Sequence, residues 1–289
     1  MNYPVVTGTF PSVAAGLKAA TTLNNGVLMP WLGLGTFQVP ADADATRIVR
    51  TAIDAGYRHI DTAALYQNER GVGRAVRECG VPREEIFVTT KVWNDDIRAG
   101  RIEDAFEESM QRLGLEYLDL YLLHWPIKGK HRESWRIMEK LHRTGRIKAI
   151  GVSNYMIPHL DELLHGAEIV PAVNQIEFHP YLQSKPLHDH CRALGIRLTA
   201  WSPLMQAGAL LRDPVLAAIA RRHGRTVAQV VLRWDLQVGV VTIPKSVRTA
   251  RIAENAGIFD FVLDDAEMKA IAALDDDRRN GADPFHFNF

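Results

Sequence analysis

Short, continuously apolar runs recur along the chain at nearly even spacing, separated by longer stretches of helical period. The runs are WLGLG (31–35), YRHID (57–61), IFVTTK (86–91), LDLYLLH (118–124), KAIGVS (148–153), VNQIE (173–177), IRLTAW (196–201) and GVVTIP (239–244). Most of the eight are too apolar for either strand face to be wet, the pattern demanded by a parallel sheet covered with helices. From Gly35 in the first run to Ile243 in the last, seven repeats average about 30 residues, the size of a strand with its crossover helix.

The intervening stretches have helix ends in the right places. ADADATRIVRTAIDAG begins with acids and stops at Gly56, as the helix dipole and the C-cap preference require. IEDAFEESMQRLG (102–114) puts Ile102, Phe106, Met110 and Leu113 on one face, and SWRIMEKLHRTG (134–145) and TVAQVVLRWDLQ (226–237) alternate similarly. Eight βα units in about 250 residues predict a (β/α)8 TIM barrel. A doubly wound sheet would need a glycine-rich phosphate turn after its first strand. The nearest match, Gly71–Val72–Gly73, lacks a third glycine and reads as a glycine-tolerant helix start. With no linker or low-complexity break, residues 21–289 read as one barrel domain behind an N-terminal extension over 1–20.

Lys+Arg and Asp+Glu both number 34, so the global basic excess usual for a nucleic-acid binder is missing. Cys79 and Cys191 lie far apart and outside any CxxC, so two reduced thiols are expected. His188, His190 and Cys191 cluster in LHDHC without a second ligand group nearby, so no metal site is expected. With no run of membrane-span length and no basic, apolar leader, a soluble cytoplasmic chain is expected, acting as a monomer.

In such a barrel the chemistry sits at the C-terminal ends of the strands. Those ends carry Asp61, Lys91, His124, Ser153, Asn154, Gln175, Trp201 and Lys245, with Tyr66 five residues past Asp61. Singly, each has an ordinary reading: a helix cap, a solvated end, a structural histidine. An acid, a lysine, a tyrosine and a histidine converging on one rim are harder to dismiss. A tyrosine hydroxyl holds its proton at neutral pH, and a neighbouring lysine is expected to lower its pKa. An aspartate would keep the ammonium oriented, while the histidine polarises a carbonyl oxygen. The set lacks a nucleophile, so the attacking species must come from a cofactor, with hydride the natural candidate.

At this point the sequence resembles the aldo-keto reductase family over nearly the whole chain. GYRHIDTAALYQNERGVGRA (56–75), DLYLLHWP (119–126), IGVSN (150–154), VNQIEFHPYLQ (173–183) and IPKSVRTARIAEN (243–255) stand in that family's order. The resemblance implies a catalytic tetrad of Asp61, Tyr66, Lys91 and His124, with Tyr66 as general acid and NAD(P)H as hydride source. It implies cofactor contacts at Gly35, Thr36 and Asp61, and carboxamide contacts at Ser153, Asn154 and Gln175. Trp201 would stack on the nicotinamide, with Ser202 and Leu204 near the pyrophosphate. Lys245, Ser246, Val247, Arg248 and Arg251 would surround the 2′-phosphate, with Glu254 and Asn255 nearer the adenine. Three cations within seven residues suit a dianion, which favours NADP(H). Phe37, Trp93, His124 and Trp125 would wall the substrate site, with the tail GADPFHFNF folding over its mouth.

One departure is MQAG (205–208), where related bacterial sequences often read GQG. The short tail is more similar to prokaryotic reductases of the 2,5-diketo-D-gluconate type than to mammalian aldose reductases. Such reductases imply diketogluconate-like substrates or small aldehydes such as methylglyoxal. Two other readings stay open at this stage. One is a binding subunit holding NADPH without turnover; the other is a lyase or isomerase on a phosphate-binding barrel.

Overall fold

The computed structural model describes residues 13–41 and 43–289, so the first twelve residues of the expected extension lie outside the described residues. A short hairpin comes first, β1 (Ala20–Thr22) against β2 (Leu28–Pro30). Eight parallel strands follow: β3 (Leu34–Gly35), β4 (His59–Asp61), β5 (Phe87–Val92), β6 (Leu118–Leu123), β7 (Ile147–Ser153), β8 (Val173–Glu177), β9 (Arg197–Trp201) and β10 (Val241–Thr242). Each coincides with one of the apolar runs. Neighbours in sequence are neighbours in the sheet. The sheet closes into a barrel because Leu32 bridges Thr242 in parallel, Gly33 donates to the Thr242 carbonyl at 2.9 Å, and Thr242 donates to that of Trp31 at 3.0 Å. Closure removes both sheet edges.

Helices cover the outside: α1 (Ala43–Asp54), α2 (Glu69–Glu78), α3 (Asn94–Ala99), α4 (Ile102–Leu113), α5 (His131–Arg143), α6 (Ile157–Leu164), α7 (Lys185–Ala193), α8 (Pro214–His223), α9 (Val227–Gln237), α10 (Thr249–Ala256) and α11 (Asp265–Ala272). The four helices expected from periodicity are α1, α4, α5 and α9. For α9, the Thr226 hydroxyl accepts from the Gln229 N–H and the Gln229 side chain returns to the Thr226 N–H. Gly71 and Gly73 fall inside α2, as the helix reading of that glycine pair required. A Cβ at Gly73 would stand 1.9 Å from the Leu113 carbonyl oxygen, so glycine lets α2 lie directly on the end of α4.

The core runs through the barrel and out to the helix layer, including Ile60, Val88, Leu120, Leu122, Val152 and Leu198, none more than 2% exposed. Each such side chain contributes roughly 1.5–3 kcal/mol by leaving water. The β1–β2 hairpin belongs to the N-terminal end of the barrel, where Asn25 donates to the Lys148 carbonyl at 2.9 Å and Asn24 to that of Pro171 at 3.1 Å. That leaves the opposite, C-terminal rim open. Among the described residues no helix is long and apolar enough to cross a membrane, and Cys79 and Cys191 are both unbridged.

Candidate active site

The rim is assembled from strand ends, because an inward-facing residue at the last turn of a barrel strand points toward the mouth. Asp61 closes β4, and Lys91 faces inward from β5 with no exposed surface. Lys91 Nζ donates to Asp61 Oδ1 at 2.6 Å, to the Thr62 carbonyl at 2.9 Å and to the Tyr66 hydroxyl at 3.4 Å. His124, the residue after β6, packs its ring edge-on to Tyr66 with centroids 5.8 Å apart. The four residues expected to converge therefore do so.

Charge in this cluster is governed by burial. Burial alone would make Lys91 lose its proton more easily, yet Asp61 and Tyr66 together outweigh that and hold its pKa above the ordinary lysine value. Burial pushes the Asp61 carboxyl up, against the pull of Lys91 and Gln175. For Tyr66, Lys91 pulls the phenol down as expected, but burial raises it by more, so its pKa stands above the ordinary value. The local sequence shows the neighbour and not the depth of burial. His124 is driven well below the usual histidine value, first by burial and then by Lys91, so its imidazole is neutral.

A second chain of hydrogen bonds continues round the rim. Gln175 Nε2 donates to Asp61 Oδ2 at 2.7 Å, and Ser153 Oγ donates to the Gln175 carbonyl at 2.8 Å. Asn154, in the left-handed region at φ +65°, donates to the His124 carbonyl at 3.0 Å and accepts from Trp201 Nε1 at 2.8 Å. The indole plane is thereby fixed beside a cavity of about 980 Å³. Its lining includes Gly35, Phe37, Asp61, Tyr66, Trp93, His124 and Trp125. Ser153, Asn154, Gln175, Trp201, Ser202 and Leu204 also line it, as do Lys245, Ser246, Val247, Arg248, Arg251, Glu254 and Asn255.

Thr36 differs from this group. It is fully buried behind the cavity, with its N–H and its hydroxyl both spent on the Asp61 carbonyl at 3.0 and 2.9 Å. Glu254 lines the cavity but also accepts from the Thr226 hydroxyl at 2.9 Å. Lys245, Arg248 and Arg251 are exposed, and none pairs with a carboxylate among the described residues.

The loop after β9 has left-handed backbone at Ser202, Met205, Gln206 and Ala207 (φ +46 to +64°), and Gln206 and Ala207 line the cavity. The tail lies at the mouth: Phe289 stacks on Trp93 at 5.8 Å and meets Trp125 edge-on at 5.1 Å, while Phe287 packs on Trp125 at 4.9 Å. Phe285 instead packs on His159 at 4.9 Å, away from the cavity lining. Sequence reasoning missed Leu65, Leu211, Thr226 and Asn280 as lining residues, while Gly281 belongs to the tail expected over the mouth. Leu65 carried a signal, since it directly precedes Tyr66. Among the described residues no group of His, Cys, Asp and Glu could hold a metal ion.

The sequence profile described as the aldo/keto reductase family matches residues 31–276, most of the chain. The chain belongs to this family. This aldo-keto reductase, an oxidoreductase, is 57% identical over 268 residues to the glyoxal reductase of Bacillus subtilis (strain 168), covering 93% of this chain and 97% of that protein. Among solved structures it is similar to an aldo-keto reductase from a Medee basin deep-sea metagenome library, at 43% identity and a TM-score of 0.89, covering 93% and 100% of the two chains. A Bombyx mori aldo-keto reductase in complex with NADP matches at 38% identity and a TM-score of 0.85, covering 91% of this chain and 94% of that one.

Proposed function

We propose that this reductase converts aldehydes and ketones to alcohols with NADPH, Tyr66 acting as the general acid. The observation that carries the reading is the position of Lys91 Nζ, buried between Asp61 Oδ1 and the Tyr66 hydroxyl beside a neutral histidine. The residues lining the cavity fit NADP(H). Neutral amides and a hydroxyl at Gln175, Asn154 and Ser153 suit a carboxamide, and Trp201 offers a ring for stacking. Lys245, Arg248 and Arg251, exposed and without carboxylate partners, suit a phosphate dianion. When bound, the nicotinamide supplies the hydride.

The chain's own residues do the rest. The Tyr66 hydroxyl, kept protonated by burial, donates to the carbonyl oxygen as negative charge develops there. The Lys91 ammonium stabilises the phenolate left behind, and Asp61 holds the ammonium in place. A neutral His124 offers an N–H to the same oxygen without competing as an acid. Phe37, Trp93 and Trp125 exclude water around the carbonyl. The similarity to a glyoxal reductase supports small aldehydes and dicarbonyls as the substrate class.

The test is NADPH consumption with glyoxal and a panel of simple carbonyls. Tyr66→Phe is expected to lose about 10²–10⁴ in kcat, the usual worth of a general acid, while keeping NADPH affinity. Equal turnover in the two proteins would refute the assignment.

A further inference from the structure

Glu177 closes β8 opposite Trp201 in the β8–β9 register, and its side chain has no exposed surface. None of the chemistry above employs it. Its Oε1 accepts from His179 Nε2 at 3.0 Å and from the Asn280 N–H at 2.6 Å, and its Oε2 accepts from the Gly281 N–H at 3.0 Å. Burial alone would raise the carboxyl, but His179 and the two backbone donors outweigh it and hold the group below its ordinary value. A buried anion thus grips two consecutive peptides of the tail, a stronger anchor than an exposed ion pair.

The gripped peptides lie on the site itself. Asn280, Gly281 and Ala282 line the cavity. A Cβ at position 281 would stand 2.4 Å from Trp201 Cη2, so only glycine lets the main chain lie against the indole. Upstream, the Asp276 and Arg278 N–H groups both donate to the Tyr181 carbonyl, at 3.3 and 3.0 Å. Downstream, Asn94 and Arg98 hold the main-chain oxygen of Phe289 at 3.2 and 2.6 Å. The tail is therefore a strap across the mouth, and Glu177 fixes the span that touches Trp201.

We propose that Glu177 is a positioning residue that fixes residues 280 and 281 of the C-terminal strap and so sets Phe287 and Phe289 against Trp93 and Trp125, one wall of the carbonyl site. This rests on the reading of the cavity as the site of carbonyl reduction. Glu177→Gln keeps the volume, but its NH₂ turns a donor toward a backbone N–H. With the full chain, KM for glyoxal is expected to rise about tenfold, with kcat and the NADPH Kd changing less than about threefold. Gly281→Ala, which perturbs the same contact from the strap side, moves KM in the same direction. Deleting residues 280–289 raises KM by itself, and adding Glu177→Gln to the deletion changes KM no further, because both strap partners are gone and only His179 is left on the carboxylate.

An unchanged KM in Glu177→Gln would overturn the proposal. So would an equal factor in the truncated and full chains, since Glu177 would then act through something other than the strap. If Glu177→Gln melts before assay, Gly281→Ala and the deletion carry the decision: KM unchanged in both overturns the proposal. A wild type that oxidises no NADPH with any carbonyl would instead refute the underlying reading.

Discussion

Gln175 reaches across the barrel from β8 to donate to Asp61 Oδ2 at 2.7 Å, so that with Lys91 on Oδ1 at 2.6 Å both carboxylate oxygens of Asp61 are engaged. Four strand positions separate β4 from β8 in the closed order, which makes them opposite walls. A residue expected only to orient a cofactor amide is thus also a support of the charge cluster. Gln175→Leu would leave Asp61 Oδ2 buried without its donor. A hydrogen bond to a charged group is worth about 1.5–3 kcal/mol, so the cofactor-free protein should lose that much stability. Guanidinium melts check this, with a lower midpoint and an unchanged slope expected. An unaltered midpoint would mean that Gln175 serves the cofactor alone.

What the sequence made legible follows from range. The eight strands are continuous apolar runs, and Asp61, Lys91 and His124 stand at their ends, so local pattern plus one rule of barrel geometry located them. The Gln175–Asp61 bond joins residues far apart in sequence, and the Glu177 grip on Asn280 and Gly281 does likewise. No local pattern encodes either. The raised Tyr66 phenol was missed for the same reason, because desolvation depends on what packs around it. The β1–β2 hairpin is a different case. Its strands have three residues each, too short for a periodic signal, although Asn25–Gly26 is a turn dipeptide and Gly26 has φ +87°.

The cations lining the cavity give a cofactor prediction. Arg251 begins near the N-terminus of α10, exposed and without a carboxylate partner among the described residues. A charge-assisted contact to a phosphate is worth roughly 1.5–3 kcal/mol, or about 10- to 100-fold in affinity. Arg251→Ala should weaken NADPH by that factor and NADH by less than about threefold. Fluorescence titration with both nucleotides decides it, and parallel losses would exclude a 2′-phosphate contact.

The pH dependence of turnover follows from two opposite shifts. Burial, helped by Asp61 and opposed by Lys91, holds the Tyr66 phenol above its ordinary value near 10. Burial and then Lys91 drive His124 well below 6.5. Neither group changes charge between about pH 6.5 and 9, so kcat for carbonyl reduction should vary less than about twofold over that range. A bell-shaped profile centred near neutrality would show that one of them titrates within it.

Asp235 tests the same physics away from the site. It is fully buried on α9; its Oδ2 accepts from the Thr242 hydroxyl at 2.7 Å, and its Oδ1 has no partner among the described residues. Burial lifts its carboxyl well above the ordinary value, and the Thr242 bond only partly opposes that. In the unfolded chain the group titrates near 3.9. Between that value and the raised folded one, the native state binds a proton that the unfolded state has released, so this residue's contribution to stability falls as pH rises. Asp235→Asn removes the proton while keeping the shape and the acceptor for Thr242. Relative to wild type, the variant should gain about 1.4 kcal/mol per pH unit on moving from pH 4 upward, until the native carboxyl ionises. Guanidinium melts of both proteins from pH 4 to 8 measure that difference. Parallel stability curves would mean that Asp235 is already ionised in the folded barrel, with an unmet oxygen in its core.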